Sequence, residues 1–386
     1  MDTRRRQRTY AIFAIVMAGL MGLTAILPAL APQTASQQAI QPTATPQPTV
    51  PPPPADLSAI TFDNVYLHPS ALYMVNYPDG WEPTRPSNNG TQVQVNFENN
   101  TALSIIETYI EFPAEPPANL QDLSARYDEN TLQRGWSRYN SWKEVDRTLD
   151  TEQNAVVIDF ELMLRSQTYL ARHVAKLTGD GKIYVTRVVT PSNARALLLD
   201  LLAKAEASIT PVALYEGTPV QWNGYYSAQD NMVVRYPNNW VLRDGGPGEP
   251  VTIEGSGQGV LHLESVAGTV IADEDAAREF VAAMRPDAEI RTVEAVERNG
   301  GSGFAVSYAY RTLEGEPQSA VAVLLNDAGD TLRVATVRVH NYDVDLLTTE
   351  PTVAAVTDAA QVARMFNLTT GLGFPPADED SAEAAG

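Results

Sequence analysis

Val75-Asn76-Tyr77-Pro78-Asp79-Gly80-Trp81 returns 159 positions later as Val234-Arg235-Tyr236-Pro237-Asn238-Asn239-Trp240. The same spacing carries Asn64 onto Asn223 and Tyr66 onto Tyr225, so the repeat includes the strand that leads into the turn. The chain is therefore read as two tandem copies of one domain. Apolar alternation through Leu72, Met74 and the Val75/Tyr77 pair predicts a strand. Pro78, which has no N–H to give a ladder, must end it. Asp79-Gly80 and Asn238-Asn239 are residue types that tolerate the positive φ a tight reversal needs. Trp81 and Trp240 then follow as plugs for the end of a small core.

Five segments are expected. Residues 1–31 form a basic N-terminus and a membrane anchor or signal, 32–56 a Pro/Thr/Gln-rich linker, 57–212 and 213–372 the two domains, and 373–386 an acidic tail. Arg4-Arg5-Arg6 and Arg8 precede an uncharged run from Thr9 to Ala31, long enough to span a bilayer. Basic residues before it hold that end inside, which places both domains outside the cytoplasmic membrane. A cleaved signal is the other reading of the run and would leave the protein secreted, with Ala29-Leu30-Ala31 as the cleavage site; Pro32 directly after it favours an uncleaved single-pass anchor. The linker ends in Pro51-Pro52-Pro53-Pro54 and is expected to be an extended stalk.

Composition excludes several chemistries. The chain has 386 residues, 44% of them hydrophobic, and no cysteine, so it has no disulfide, thiolate metal site, cysteine nucleophile or lipid-bearing cysteine. Its net charge is -20, and the second copy contains arginine but no lysine. A surface so acidic repels nucleic acid, which leaves solubility, cations or basic partners as its meaning. His68, His173, His262 and His340 are scattered, with no pair at ligand spacing. Gly255-Ser256-Gly257-Gln258-Gly259 is not a nucleophile elbow and reads as a hairpin loop. No catalytic, cofactor-binding or metal-ligating residues are assigned, and no cofactor is expected.

Element order within a copy is strands, helix, four more strands and a final helix. Helices are expected over 119–134 and from a Thr190 cap in the first copy, and over 273–284 and 351–366 in the second. Such an order implies an α+β fold in which an antiparallel sheet packs with helices. The spacing between copies drops to 148 from Gly181 to Gly329 and returns to 160 from Pro191 to Pro351, so two loops differ in length. The later difference centres on His340, Asn341, Tyr342, Asp343, Val344 and Asp345. This insertion is where specificity or an interaction is expected.

The turn also resembles that of the PsbP-like (Mog/PsbP) superfamily, at Tyr77, Pro78 and Trp81 and again at Tyr236, Pro237 and Trp240. The resemblance implies an α/β/α sandwich in each copy and a non-enzymatic role as an accessory or adaptor to a larger complex. A protein partner at the outer face of the membrane is therefore expected. The alternative is an extracytoplasmic binder of a small ligand or divalent cation.

Overall fold

The computed structural model describes residues 50–257, 259–350 and 353–375. Strands β1 (Asn64–Leu67) and β2 (Tyr73–Tyr77) open the first copy, followed by β3 (Glu82–Asn88), β4 (Gln92–Asn99) and β5 (Ser104–Glu111). Helices α1 (Leu120–Arg126) and α2 (Glu129–Gly135) lead into β6 (Ser141–Asp150), β7 (Ala155–Leu164), β8 (Gln167–Leu177) and β9 (Ile183–Pro191). Helix α3 (Arg195–Ser208) and the short β10 (Thr210–Pro211) close the copy. The second copy repeats this with β11 (Asn223–Ser227), β12 (Met232–Tyr236), β13 (Trp240–Asp244), β14 (Val251–Gly255) and β15 (Gly259–Ala267). Helix α4 (Glu274–Met284) follows, then β16 (Glu289–Arg298), β17 (Gly301–Arg311), β18 (Pro317–Asp327), β19 (Thr331–His340), α5 (Ala354–Met365) and β20 (Asn367–Leu368).

Both copies build a seven-stranded antiparallel sheet with one strand order, β3-β4-β5-β9-β8-β7-β6 in the first and β13-β14-β15-β19-β18-β17-β16 in the second. Each adds a three-stranded sheet, β1-β2-β10 or β11-β12-β20. The architecture is α+β in two domains, with helices on both faces of each large sheet. In the first, Leu123 of α1 and Leu132 of α2 pack on Ile158 and Phe160, while Leu197 and Leu201 of α3 pack with Val95 and Ile106 on the other side.

Pro78 does end β2, but the chain does not fold back there. It leaves the small sheet and enters the large one, so the Tyr-Pro turn is a switch between sheets. The turn closes through Trp81 N–H to Pro78 O at 3.3 Å and Trp240 N–H to Pro237 O at 3.0 Å. Gly80 takes φ +73, whereas neither Asn238 nor Asn239 has positive φ, so the two turns are not chemically equivalent. The strands after them, β3 and β13, were not foreseen. β3 contains Pro83 and Pro86, and it is tolerated because it is an edge strand with a bulge between Thr84 and Ser87.

The expected helix over 119–134 is two helices. Asp128 accepts from Thr131 N–H at 2.8 Å and so caps a second start. Thr190 is not a cap: β9 runs on to Pro191 and α3 begins at Arg195. The 148 spacing is also one residue short. Val185 and Val189 face α1 and α2, and Leu332 and Val334 face α4, so the spacing is odd. The registers that follow Glu82 and Val241, the residues after the two tryptophans, pair Glu98 with Ile105 and Glu254 with Val260. This sets Glu107 on His262 and Arg187 on Thr336, at a spacing of 149. A one-residue slip would turn the strand's other face inward.

Among the described residues no helix is long and apolar enough to cross a membrane. The expected anchor over 1–31, most of the 32–56 linker and all but the start of the tail lie outside the described residues.

Candidate functional site

Trp81 and Trp240 are both buried, at 8% and 2% exposure. Trp240 lies over the ends of the β14–β15 hairpin. A Cβ on Gly259 would sit 2.7 Å from its ring, and one on Gly255 would collide with it as well. The glycines of that loop therefore seat an indole, a packing reason that a hairpin reading does not supply. Tyr77 stacks on Phe97 with centroids 4.8 Å apart, and Tyr236 is half-buried, with burial raising its phenol pKa. These six turn residues are spread over two copies, and the fold does not gather them into one site.

The insertion at His340 is tied to the sheet. Ser319 Oγ donates to Tyr342 O at 3.0 Å and accepts from Val344 N–H at 2.8 Å. Thr292 Oγ1 donates to Asp345 at 2.5 Å, Arg291 pairs with Asp343, and Leu346 is buried. His340 is half-buried, which lowers its pKa. Among the described residues no group of three or more His, Asp or Glu is placed to hold a metal ion.

Sequence reading missed the centre of the polar structure. Arg235 occupies the place in the repeated string where the first copy has Asn76, and it is 0% exposed. Its Nε donates to Ser70 O of the first copy at 2.7 Å. One terminal nitrogen bonds Thr218 Oγ1, and the other reaches Pro219 O at 2.8 Å, Trp222 O at 2.9 Å and Val220 O at 3.3 Å. Burial lowers its pKa to about 10, so it remains charged at neutral pH. A guanidinium aimed at carbonyl dipoles is satisfied without a carboxylate, and it fixes the 213–222 connector between the copies.

The rest of the seam is equally close. Gly224 N–H donates to Pro69 O at 2.7 Å, and a Cβ on Gly224 would lie 2.6 Å from that of Ala71. Asn88 Nδ2 reaches Val220 O at 2.7 Å, and Tyr215, fully buried, donates to Met365 O at 2.9 Å. One apolar cluster runs through both copies at this seam, from Tyr73 and Leu201 to Val233 and Phe366. Beside it the connector, the β16–β17 turn and α5 border an open hollow of about 640 Å³ lined by Arg298 and Arg364. Burial, with Arg364 next in effect, lowers the Arg298 pKa.

A second polar centre lies under α1 and α2. Arg187 donates to Glu107 at 2.9 Å, its guanidinium lies 4.4 Å over the ring of Trp136, and it points at His173 Nδ1 at 3.4 Å. Burial, reinforced by Arg187, holds the His173 pKa far below the usual imidazole value. The three side chains stand on the adjacent strands β5, β9 and β8 in one cross-strand row.

No family model matches the chain, and no curated protein matches it. Among solved structures, cyanobacterial PsbP (CyanoP) from Synechocystis sp. PCC 6803 is 14% identical, over 38% of this chain and 91% of that one, at a TM-score of 0.29. The Saccharomyces cerevisiae Ran-binding protein Mog1p is 11% identical, over 39% and 95%, also at 0.29. The Pseudomonas aeruginosa immunity protein TplEi is 11% identical over 80% and 99%, at 0.23. At these scores the likenesses bear on neither partner nor activity.

Proposed function

We propose that the chain is a non-enzymatic binding or assembly-accessory protein of two PsbP-like domains, held at the outer face of the cytoplasmic membrane by residues 1–31 on a proline-rich stalk. The observation that carries the reading is the clamp at Arg235. Five hydrogen bonds from one buried guanidinium lock the connector to both copies. Two domains held in one orientation offer a partner a preformed surface, so less freedom is lost on association. The acidic surface favours a basic face on that partner. Its buried ionisable groups serve packing, as with Glu107 and Arg187, which fits a binding role better than proton transfer.

The test is capture of the full chain from detergent-solubilised membranes, with protease added beforehand to intact protoplasts. A stoichiometric partner that is retained by the native chain and lost from Arg235→Asn supports the reading. An unaccompanied monomer would remove the accessory role. Domains protected in intact cells and digested only after lysis would overturn the location.

A further inference from the structure

The repeat exposes a site in the second copy. On the face of the first sheet that bears α1 and α2, the Glu107–Arg187–His173 row is closed by α2, whose Gly135 would bring a Cβ within 3.3 Å of Arg187, and by the fully buried Trp136. The matching row of the second sheet is His262–Thr336–Ala322, and only the single helix α4 covers that face. The length that makes α2 is missing. A cleft of about 170 Å³ stands in its place, lined by Arg285, Arg338, His262, Tyr308, Tyr310 and Met284.

Among the described residues its charges have only long contacts with carboxylates. Arg338 follows Thr336 by two positions on β19, so it points to the same face, and its Nε is buried with no hydrogen-bond partner among the described residues. Arg285 lies 4.2 Å over the Tyr310 ring and only within 4.0 Å of Asp287. His262 bonds Thr252 Oγ1 at 3.2 Å and comes no nearer than 4.0 Å to Glu264. Where the first copy has Glu107 and Arg187 the second has His262 and Thr336, so the row holds no carboxylate and the two arginines of this face stand outside it without the cover of a second helix.

We propose that this cleft binds a carboxylate, between Arg338 and Arg285 and with its apolar body against Tyr308 and Met284. The first copy shows what the face holds when it is filled: a carboxylate on an arginine, under an aromatic ring. A guanidinium takes a planar carboxylate through two parallel N–H donors, and one left buried without an acceptor gains from receiving one. The volume admits a group about the size of one side chain, so the carboxylate is a small free acid or an acidic side chain of a peptide. This reading goes beyond the accessory role and does not require it.

Ligand-observed NMR with the full chain in detergent tests it, using benzoate, its neutral analogue benzamide, inorganic phosphate, and acetyl-Gly-Glu-Gly-amide as the side-chain source. Saturable binding of benzoate or the peptide is expected, with benzamide and phosphate weaker by about tenfold or more, the scale of one charge-assisted contact. Arg338→Gln and Arg285→Gln should each weaken it about tenfold, and Arg243→Gln, an exposed arginine outside the cleft, should leave it unchanged. His262→Glu restores an internal carboxylate, so it should abolish binding while raising Tm. Phosphate binding as tight as the carboxylates, no saturation, or indifference to both arginine variants in folded protein would overturn the proposal. Membrane capture plays no part in these readouts, so failure here leaves the accessory reading standing.

Discussion

On the face of the first sheet that bears α1 and α2, Arg187 meets Glu107 at 2.9 Å beneath Trp136, while on the matching face of the second sheet Arg285 and Arg338 line an open cleft. The strand order is identical, so topology does not explain the difference. A short helix and one row of side chains do: α2 is present in one copy and absent from the other, and Glu107, Arg187 and His173 are replaced by His262, Thr336 and Ala322. In a duplicated fold the sheet is the shared frame, and each copy's character depends on whether a polar row is matched internally and covered.

The largest expected effect tests that matching. Glu107→Gln leaves a buried guanidinium without its carboxylate and should destabilise the protein by about 3–5 kcal/mol. The corresponding Arg338→Gln breaks no internal pair and should change stability by less than about 1 kcal/mol. Urea unfolding of the two variants measures both values. Equal losses would mean that the second face is as fully matched as the first.

The seam comes next. Arg235→Asn writes the first copy's residue into the second and leaves several buried carbonyls without a donor, for a loss of about 2–4 kcal/mol. Because one apolar cluster crosses the seam, a fragment of residues 57–212 would expose part of that cluster. Cooperative thermal unfolding of the fragment would show that the first copy carries a sufficient core without it. A molten product would assign that stability to the shared cluster.

The histidines separate the copies by pH. His68 and His173 are buried in the first copy, while His262 and His340 are partly exposed in the second. His68 Nε2 donates to Gln94 O at 3.1 Å while its Nδ1 accepts from Ser70 N–H, and burial lowers its pKa to about 4; burial also holds the His173 pKa well below the usual imidazole value. A base depressed in the folded state costs nothing above the unfolded value near ~6.5. Below it the unfolded chain takes up a proton that the folded chain refuses, so stability falls with pH. For His68 the fall ends near pH 4. Each histidine contributes at most about 1.4 kcal/mol per pH unit, and Tm measured from pH 7 to 5 should decline less steeply in His173→Gln than in the native chain.

Much of this was legible from one repeated string, and the gaps have physical causes. The two copies, the α+β class and nearly all of the long strands follow from the Tyr-Pro spacing and from alternation. β3 was hidden because Pro83 and Pro86 argue against a strand until its edge position is known. The matching of faces was hidden because glycine spacing reports a turn, and a turn one residue different reverses every side chain after it. Arg235 did leave a signal, since it is the one charge substituted into the string before the turn. Its meaning depended on carbonyls from Ser70 and the connector, which only the tertiary fold brings to it. The cleft left only an indirect trace, the shorter spacing between copies.

The smallest effect concerns the loop that lengthens the second copy before its last helix. Asp343 is half exposed and pairs with Arg291 at the surface, where solvent screens most of the attraction. Asp343→Asn should therefore change stability by less than about 1 kcal/mol, in contrast to the buried pair of the first copy. Tyr342 and Leu347, packed against the core cluster, and the Ser319 and Thr292 bonds keep the loop in place without that charge. Because the fold survives, the same variant reads the interaction role directly. If captured partner falls while Tm holds, the 340–345 insertion is a contact surface. If neither changes, Asp343 contributes nothing to recognition, and specificity must be sought at the seam and the cleft.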